Sequence, residues 1–250
     1  MVGVEIFLLP SCSRKVRMRT RVLENFQLLH FLIVMLGLFA ALLLPIRSSS
    51  QEKDLEALYM QAQSNSALRA IFVDSYVQYE GVPEHVLQIQ YSEEIKTLAL
   101  THPLVKNEAG DYRPTSHALA IGRGYPSSMT FGPKMFHPAY RYPDFQSVVQ
   151  HEAAHAKFWA TGKLNYLEGV DTGKNSKVRL RGLIPILFEL DALKTQMEHP
   201  TWQQTSASFR KGQEGYRQKW LGKLESLGKQ SYMYDMKPLL DRIRRTYEKP

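Results

Sequence analysis

Apolar residues in the second half of the chain recur every three or four positions, which is the spacing of an α-helix that buries one face. The clearest case runs from Tyr142 to Thr161, where Pro143 suits a first helical turn and Gly162 suits the position after the last one. Its apolar stripe consists of Phe145, Val149, Ala153, Ala156 and Ala160. We predict an amphipathic helix here, packed by this stripe against a core.

The same periodicity predicts further helices over residues 53–63, 67–79, 83–100, 184–198, 201–227 and 232–247. Pro185 is expected in the first turn of its helix. Two short β-rich stretches, 118–121 and 128–132, are predicted to pair after a loop-rich region over 101–116. The pattern therefore indicates a mostly helical α+β domain over 51–250, with a small β-sheet before the helix that starts at Tyr142.

The N-terminal part of the chain has the pattern of a membrane segment. Residues 25–46 contain no Asp, Glu, Lys or Arg and are long enough to span a bilayer. Basic side chains precede them at Arg14, Lys15, Arg17, Arg19 and Arg21. This flank predicts a cytoplasmic segment over 1–25, a transmembrane anchor or signal-peptide core over 26–46, and an exported remainder. Small residues before Gln51 also fit a signal cleavage site, so an anchored and a released extracytoplasmic domain, periplasmic or at the cell surface, both stay open.

Charge and cysteine content add two constraints. The formal net charge of +8 is shared equally between residues 1–50 and the rest of the chain. Basic and acidic residues are interspersed after Ser50, as on an ordinary solvated surface, and we expect no nucleic-acid partner. Cys12 is the single cysteine, so the predicted exported domain has no disulfide and depends on its core for stability.

The segment His151-Glu152-Ala153-Ala154-His155 carries the candidate chemistry. Residues four apart on a helix lie on one face, so His151 and His155 can offer two nitrogen ligands to a tetrahedral zinc ion. Glu152 flanks the same face and is placed to accept a proton from a metal-bound water. The alternative is a surface helix whose two histidines only pair with each other or face solvent.

A catalytic zinc usually needs a third protein ligand. The extended H-E-x-x-H-x-x-G-x-x-H pattern is excluded, because Phe158 and Thr161 replace its Gly and third His. Glu189 is the best candidate, since it is a carboxylate within an otherwise apolar helical stretch and a buried carboxylate needs a cation. An ion pair with Arg181 is the alternative. Weaker ligand candidates are Glu168 and Asp171.

With these residues the chain resembles the gluzincin branch of the zincin-type zinc metallopeptidases. The resemblance implies that His151, His155 and Glu189 bind Zn²⁺ and that Glu152 is the general base. It also implies a zincin-like fold in which an edge strand before the motif helix binds extended substrate by β-addition, and residues 128–132 are predicted to be that strand.

One position departs from the family pattern. Many relatives carry an Asp four residues after the ligand Glu, where it orients a zinc-bound His, and this chain has Leu193 there. Asp191 is near in sequence but about 200° round the helix from Glu189, so it is a poor substitute.

The resemblance implies zinc-dependent hydrolysis of a peptide or protein substrate by an exported, membrane-tethered enzyme. Two alternatives remain open: a catalytically inactive metal-binding module of the cell envelope, and a membrane-anchored scaffold in which the motif is accidental. Such enzymes commonly add a side chain that stabilises the developing oxyanion. The sequence does not rank the candidates for this role, which are His199, Tyr216, Tyr232 and Tyr234.

Overall fold

The computed structural model describes residues 49–115, 121–167, 178–230 and 236–248. It contains helices and a small sheet, which confirms the α+β class. The helices are α1 (Ser49–Ser64), α2 (Ala67–Glu80), α3 (Tyr142–Thr161), α4 (Val178–Glu198), α5 (Ala207–Gly228) and α6 (Lys237–Tyr247). The strands are β1 (Val86–Tyr91), β2 (Ala99–Lys106), β3 (Tyr112–Pro114) and β4 (Ser127–Phe131). Two 3₁₀ turns span Pro133–Phe136 and Pro200–Gln204.

Most of the predicted helices are confirmed, with some shifted ends. Gly162 ends α3 in the left-handed conformation, with φ of 68°. Pro185 lies inside α4 and not in its first turn, because this helix already begins at Val178. The helix expected from residue 201 begins later, as α5, because the side chain of Ser206 accepts a hydrogen bond from the Phe209 N–H and caps it.

The predicted membrane segment, residues 26–46, and the basic segment before it lie outside the described residues. Within the ranges that the structure describes, no helix combines the length and the apolar character that crossing a membrane requires.

The four strands form one sheet in the order β1-β4-β2-β3. β1 runs parallel to β4, whereas β2 is antiparallel to both β4 and β3. The prediction of a substrate-binding edge strand over 128–132 is therefore wrong, since β4 is paired on both sides. All five residues of β4 are buried, as in a central strand covered on both faces. Its predicted partner, 118–121, lies mostly outside the described residues, and β1 and β2 flank β4 instead.

The helix predicted over 83–100 is wrong, because this segment forms β1, a turn and the start of β2. Val86 and Ile89 are both buried although they are three residues apart. The pairing with β4 shifts its register between Val86 and Gln88, so an irregularity inserts one residue between the two inward positions. This shift gave a strand the apolar spacing of a helix.

The loop predicted over 101–116 is also wrong, because it contains most of β2 and all of β3. Pro103 was a reason for that prediction, yet it lies inside β2. Its carbonyl accepts a hydrogen bond from the Thr115 N–H at 3.0 Å, on the side of β3. Proline has no N–H, and in an antiparallel strand the N–H of this residue would point to the same side as its carbonyl, towards β3 and past its end at Pro114. The hydrogen bonds between β2 and β4 therefore do not need it.

Helix α3 packs into two hydrophobic clusters. Its N-terminal half, with Phe145, joins the aromatic cluster that α1, α2 and the sheet build around Tyr59 and Phe72. Its C-terminal half, with Phe158, joins a leucine-rich cluster shared with α4, α5 and α6. A helix held along its whole length in this way is a rigid support for side chains at its middle.

A buried carboxylate fixes the start of α3. Asp144 is fully buried and accepts hydrogen bonds from the Arg141 N–H at 2.8 Å and from the Ser206 N–H at 2.7 Å. The Ser206 hydroxyl donates to the same carboxylate at 2.8 Å. Asp144 therefore joins the N-terminus of α3 to that of α5.

Gly132, between β4 and the first 3₁₀ turn, gives a test of this packing. A methyl group there would lie 2.5 Å from the Ile95 carbonyl oxygen and 2.6 Å from that of Thr97. We expect Gly132→Ala to lower the free energy of unfolding by about 1–3 kcal/mol in urea denaturation, because two backbone segments must move.

Gly212→Ala is the matched control, because a Cβ at Gly212 in the interior of α5 meets nothing within 4 Å. It should raise the free energy of unfolding by about 0.5–1 kcal/mol. Equal effects of the two substitutions would contradict the close packing at Gly132.

Candidate metal centre

The packing of α3 against α4 brings the three predicted ligands together. His151 and His155 lie on one face of α3 and are 8% and 5% exposed. Glu189 of α4 faces them, with its Oε2 3.6 Å from Nε2 of His151 and 3.9 Å from Nε2 of His155. One ligand atom from each residue lies within 4.8 Å of the other two. This buried group could hold a metal ion.

The donor set fits a first-row divalent metal. Ligands about 2.0–2.1 Å from a tetrahedral zinc ion lie about 3.4 Å from one another. The two distances from Glu189, 3.6 and 3.9 Å, are longer by only a few tenths of an ångström. The three ligand atoms all lie within 4.8 Å of one another, so the side chains would move inward to reach tetrahedral spacing. Two imidazoles and a carboxylate also suit cobalt or manganese, so the ligands do not select the metal by themselves.

Aromatic packing holds the histidine rings. The ring of His155 stacks on Phe188, with centroids 3.6 Å apart and an interplanar angle of 20°. The two imidazoles meet edge to face, with centroids 4.6 Å apart. Phe188 precedes Glu189 in α4, so the same helical turn supplies one ligand and the surface that orients another.

Glu152 is held by the sheet. It is 7% exposed, and its Oε2 accepts a hydrogen bond of 2.6 Å from the hydroxyl of Thr101 in β2. Burial raises the pKa of Glu152, while the charge of His151 and the bond from Thr101 act in the opposite direction. Thr101 thus fixes one of the two carboxylate oxygens of Glu152. The sequence reasoning missed Thr101, because it placed this residue in a loop.

His151 interacts with both glutamates. Burial lowers the pKa of His151, but the neighbouring carboxylate of Glu189 and the charge of Glu152 outweigh that effect, and the net shift is upward. The site therefore concentrates negative charge around the first histidine, which is the electrostatic environment that a cation needs.

Among the described oxyanion candidates, Tyr216 is the one whose pKa responds to the glutamates of this site. Burial raises the pKa of Tyr216 to about 12, the charges of Glu189 and Glu152 act in the same direction, and Trp220 opposes them. His199 instead caps the second 3₁₀ turn, where its Nδ1 lies 2.9 Å from the Thr201 hydroxyl. The two remaining candidates, Tyr232 and Tyr234, lie outside the described residues.

Asp191 lies away from the histidines, as its position on the helix predicted. Its carboxylate accepts hydrogen bonds from the Asn165 N–H, the Tyr166 N–H and the Tyr247 hydroxyl, between 2.8 and 3.1 Å. It ties α4 to the segment after α3 and to α6. Leu193 is fully buried.

The other ligand and partner candidates remain predictions. Glu168 and Asp171 lie outside the described residues, as does the side chain of Arg181. In the part of the chain that the structure describes, the cationic groups within ion-pair distance of Glu189 are the two histidines.

The chain matches no protein-family model, no curated protein and no solved structure at a significant level. The resemblance to the gluzincins therefore remains a prediction from the residue pattern.

Removal of one ligand tests the centre. Full-length protein purified in detergent and supplied with zinc should hold about one metal ion per chain, and Glu189→Ala should reduce this to a small fraction, because two ligands alone bind weakly. Elemental analysis after gel filtration measures the ratio.

Glu198→Ala is the control for that experiment. Glu198 lies on the same helix but is paired with Lys194 at 2.6 Å and is 41% exposed in its side chain. This variant should keep the metal. Equal metal content in the Glu189 variant and the wild type would show that Glu189 is not a ligand.

Proposed function

We propose that the protein is a zinc-dependent peptidase in which His151, His155 and Glu189 bind the metal and Glu152 is the general base. The observation that supports this most directly is that α3 and α4 bring three ligand side chains together. A second glutamate, Glu152, lies on the same helix as the two histidines and is oriented separately by Thr101. A site that only binds metal needs no such glutamate, whereas metal-assisted hydrolysis does.

The proposed hydrolysis needs an activated water, a polarised carbonyl and a group that transfers protons. A bound zinc ion would supply Lewis acidity, which lowers the pKa of a water and polarises the scissile carbonyl. Glu152 takes the proton of the attacking water on the oxygen that Thr101 leaves free, and later passes it to the leaving amine. Its pKa, raised by burial, brings its proton affinity closer to that of the groups with which it exchanges protons.

Tyr216 supplies the oxyanion contact in this mechanism. With a pKa of about 12, its hydroxyl keeps its proton at neutral pH and can donate a hydrogen bond to the carbonyl oxygen as negative charge develops there. The influence of the Glu189 and Glu152 charges on the pKa of Tyr216 supports a position of this hydroxyl near the metal centre.

The enzyme of this proposal acts outside the cytoplasm. It is supported by the apolar run over 26–46 and by the basic residues before it. A domain without cysteines is compatible with an oxidising compartment, because it has no thiol that could be oxidised there.

A metal-binding module without activity is the second candidate. Leu193 favours it, since the carboxylate that orients a zinc-bound histidine in many gluzincins is missing at this position. In that case the metal would stabilise the fold and Glu152 would have no role in turnover.

Glu152→Gln separates these two functions. The amide cannot accept the water proton, so we expect hydrolysis of a quenched fluorescent peptide library to fall by about 10²–10⁴-fold while zinc content stays at the wild-type value. Elemental analysis and initial rates on one preparation give both quantities. If the wild type shows no hydrolysis and the variant has the same thermal stability and zinc content, the inactive module is the better description.

Tyr216→Phe tests the oxyanion contact. Loss of one donor should reduce kcat by about 10²–10³-fold, with little change in KM or in zinc affinity, because the phenol acts on the transition state. Tyr112→Phe, at an exposed tyrosine of β3, is the control and should leave kcat unchanged. A Tyr216 variant that loses zinc in proportion to its activity would argue for a role in holding the centre instead.

A further inference from the structure

Gln196 is a buried polar residue close to the metal centre that the sequence reasoning did not consider. Its side chain is fully enclosed, at 0% exposure. It follows Glu189 by two helical turns, so both side chains project from nearly the same face of α4. Glutamine is seldom buried completely, because its amide loses hydrogen bonds to water.

The amide of Gln196 and the ring of His151 are both left with unused hydrogen-bonding capacity. Neither amide atom of Gln196 has a hydrogen-bond partner, and Nδ1 of His151 has none either. Gln196 shares the face of α4 from which Glu189 approaches His151 to 3.6 Å. Burial lowers the pKa of His151, and Gln196 is among the neighbours that raise it, in agreement with this placement. The two groups are therefore complementary: one ring N–H donor and one amide oxygen acceptor.

We propose that Gln196 is the positioning residue of the metal centre: once the metal is bound, its side-chain oxygen accepts a hydrogen bond from the Nδ1–H of His151. This bond fixes the tautomer of the ring, so that Nε2, the atom 3.6 Å from Glu189, keeps its lone pair for the metal. The inference depends on the metal centre of the proposed function, but it does not depend on catalysis.

The position of Gln196 accounts for the unusual residue at Leu193. The family pattern places its orienting carboxylate four residues after the ligand Glu, whereas Gln196 lies seven residues after it. A residue four or seven positions after the ligand Glu lies on the same side of the helix, one or two turns further on. A neutral amide in place of a carboxylate also avoids a third negative charge beside Glu152 and Glu189.

Zinc affinity of the full-length protein tests the inference, measured in detergent by competition with a chromophoric chelator. Gln196→Met keeps the size of the side chain but removes the acceptor, and should weaken zinc binding by about 10–100-fold. Gln196→Glu keeps an acceptor at the same reach and should bind zinc at least as tightly as the wild type. Thermal unfolding of the metal-free protein should not fall for Gln196→Met, because methionine buries no unpaired polar atom.

Several outcomes would overturn the inference. One is a Gln196→Met variant that binds zinc as tightly as the wild type. Another is equal weakening of zinc binding in the Met and Glu variants, together with a lower unfolding temperature of the metal-free protein, because this result indicates a purely structural role. If Gln196→Met does not fold, Gln196→Asn withdraws the amide by one methylene and should weaken zinc binding, whereas wild-type affinity would refute the contact.

The same measurements distinguish this inference from the proposed function. A wild type that binds zinc with the predicted variant pattern, but hydrolyses no peptide, supports the role of Gln196 and removes the peptidase. A wild type that takes up no zinc removes both.

Discussion

Burial of charged groups where α3 packs against α4 is the constraint on which the rest of this structure depends. A carboxylate and two imidazoles enclosed together are costly unless something compensates their desolvation. Here Glu189 meets His151 and His155 at distances slightly longer than hydrogen bonds. Both distances are within the range of an ion pair, and both are also close to the spacing of ligands around a metal ion. The group could therefore hold a cation as well as form a salt bridge within the core.

Such a site needs rigid supports, and the fold supplies them through α3. Two hydrophobic clusters hold its two halves, and the buried carboxylate of Asp144 ties its first turn to α5. The sheet reaches the middle of the same helix through Thr101, which fixes one oxygen of Glu152. Glu189 comes from α4, and Tyr216, the proposed oxyanion donor, comes from α5. Each side chain of the proposed site thus comes from an element that is packed into the core.

The parts of this arrangement that local geometry determines could be predicted from the sequence. His151, Glu152 and His155 share a helix face because helical spacing puts them there, and Glu189 stood out as a carboxylate in an apolar stretch. The contributions of Thr101 and Gln196 could not be predicted. Thr101 depends on the pairing of β2 with β4, which Pro103 concealed, and the role of Gln196 depends on how two helices pack. The register shift in β1 similarly imitated helical periodicity, because sequence spacing does not report an inserted residue.

The electrostatics of the buried group favour a cation for a further reason. Burial raises the pKa of Glu152 and that of Tyr216, and each lies in the field of Glu189. The upward pKa shift of His151 partly offsets this negative charge, but one imidazolium cannot balance two carboxylates. A divalent ion coordinated by Nε2 of both histidines and by Glu189 would do so while leaving Tyr216 protonated. Glu152 would then be the ionised group beside a strong Lewis acid, which is the condition for a general base and not for a structural salt bridge.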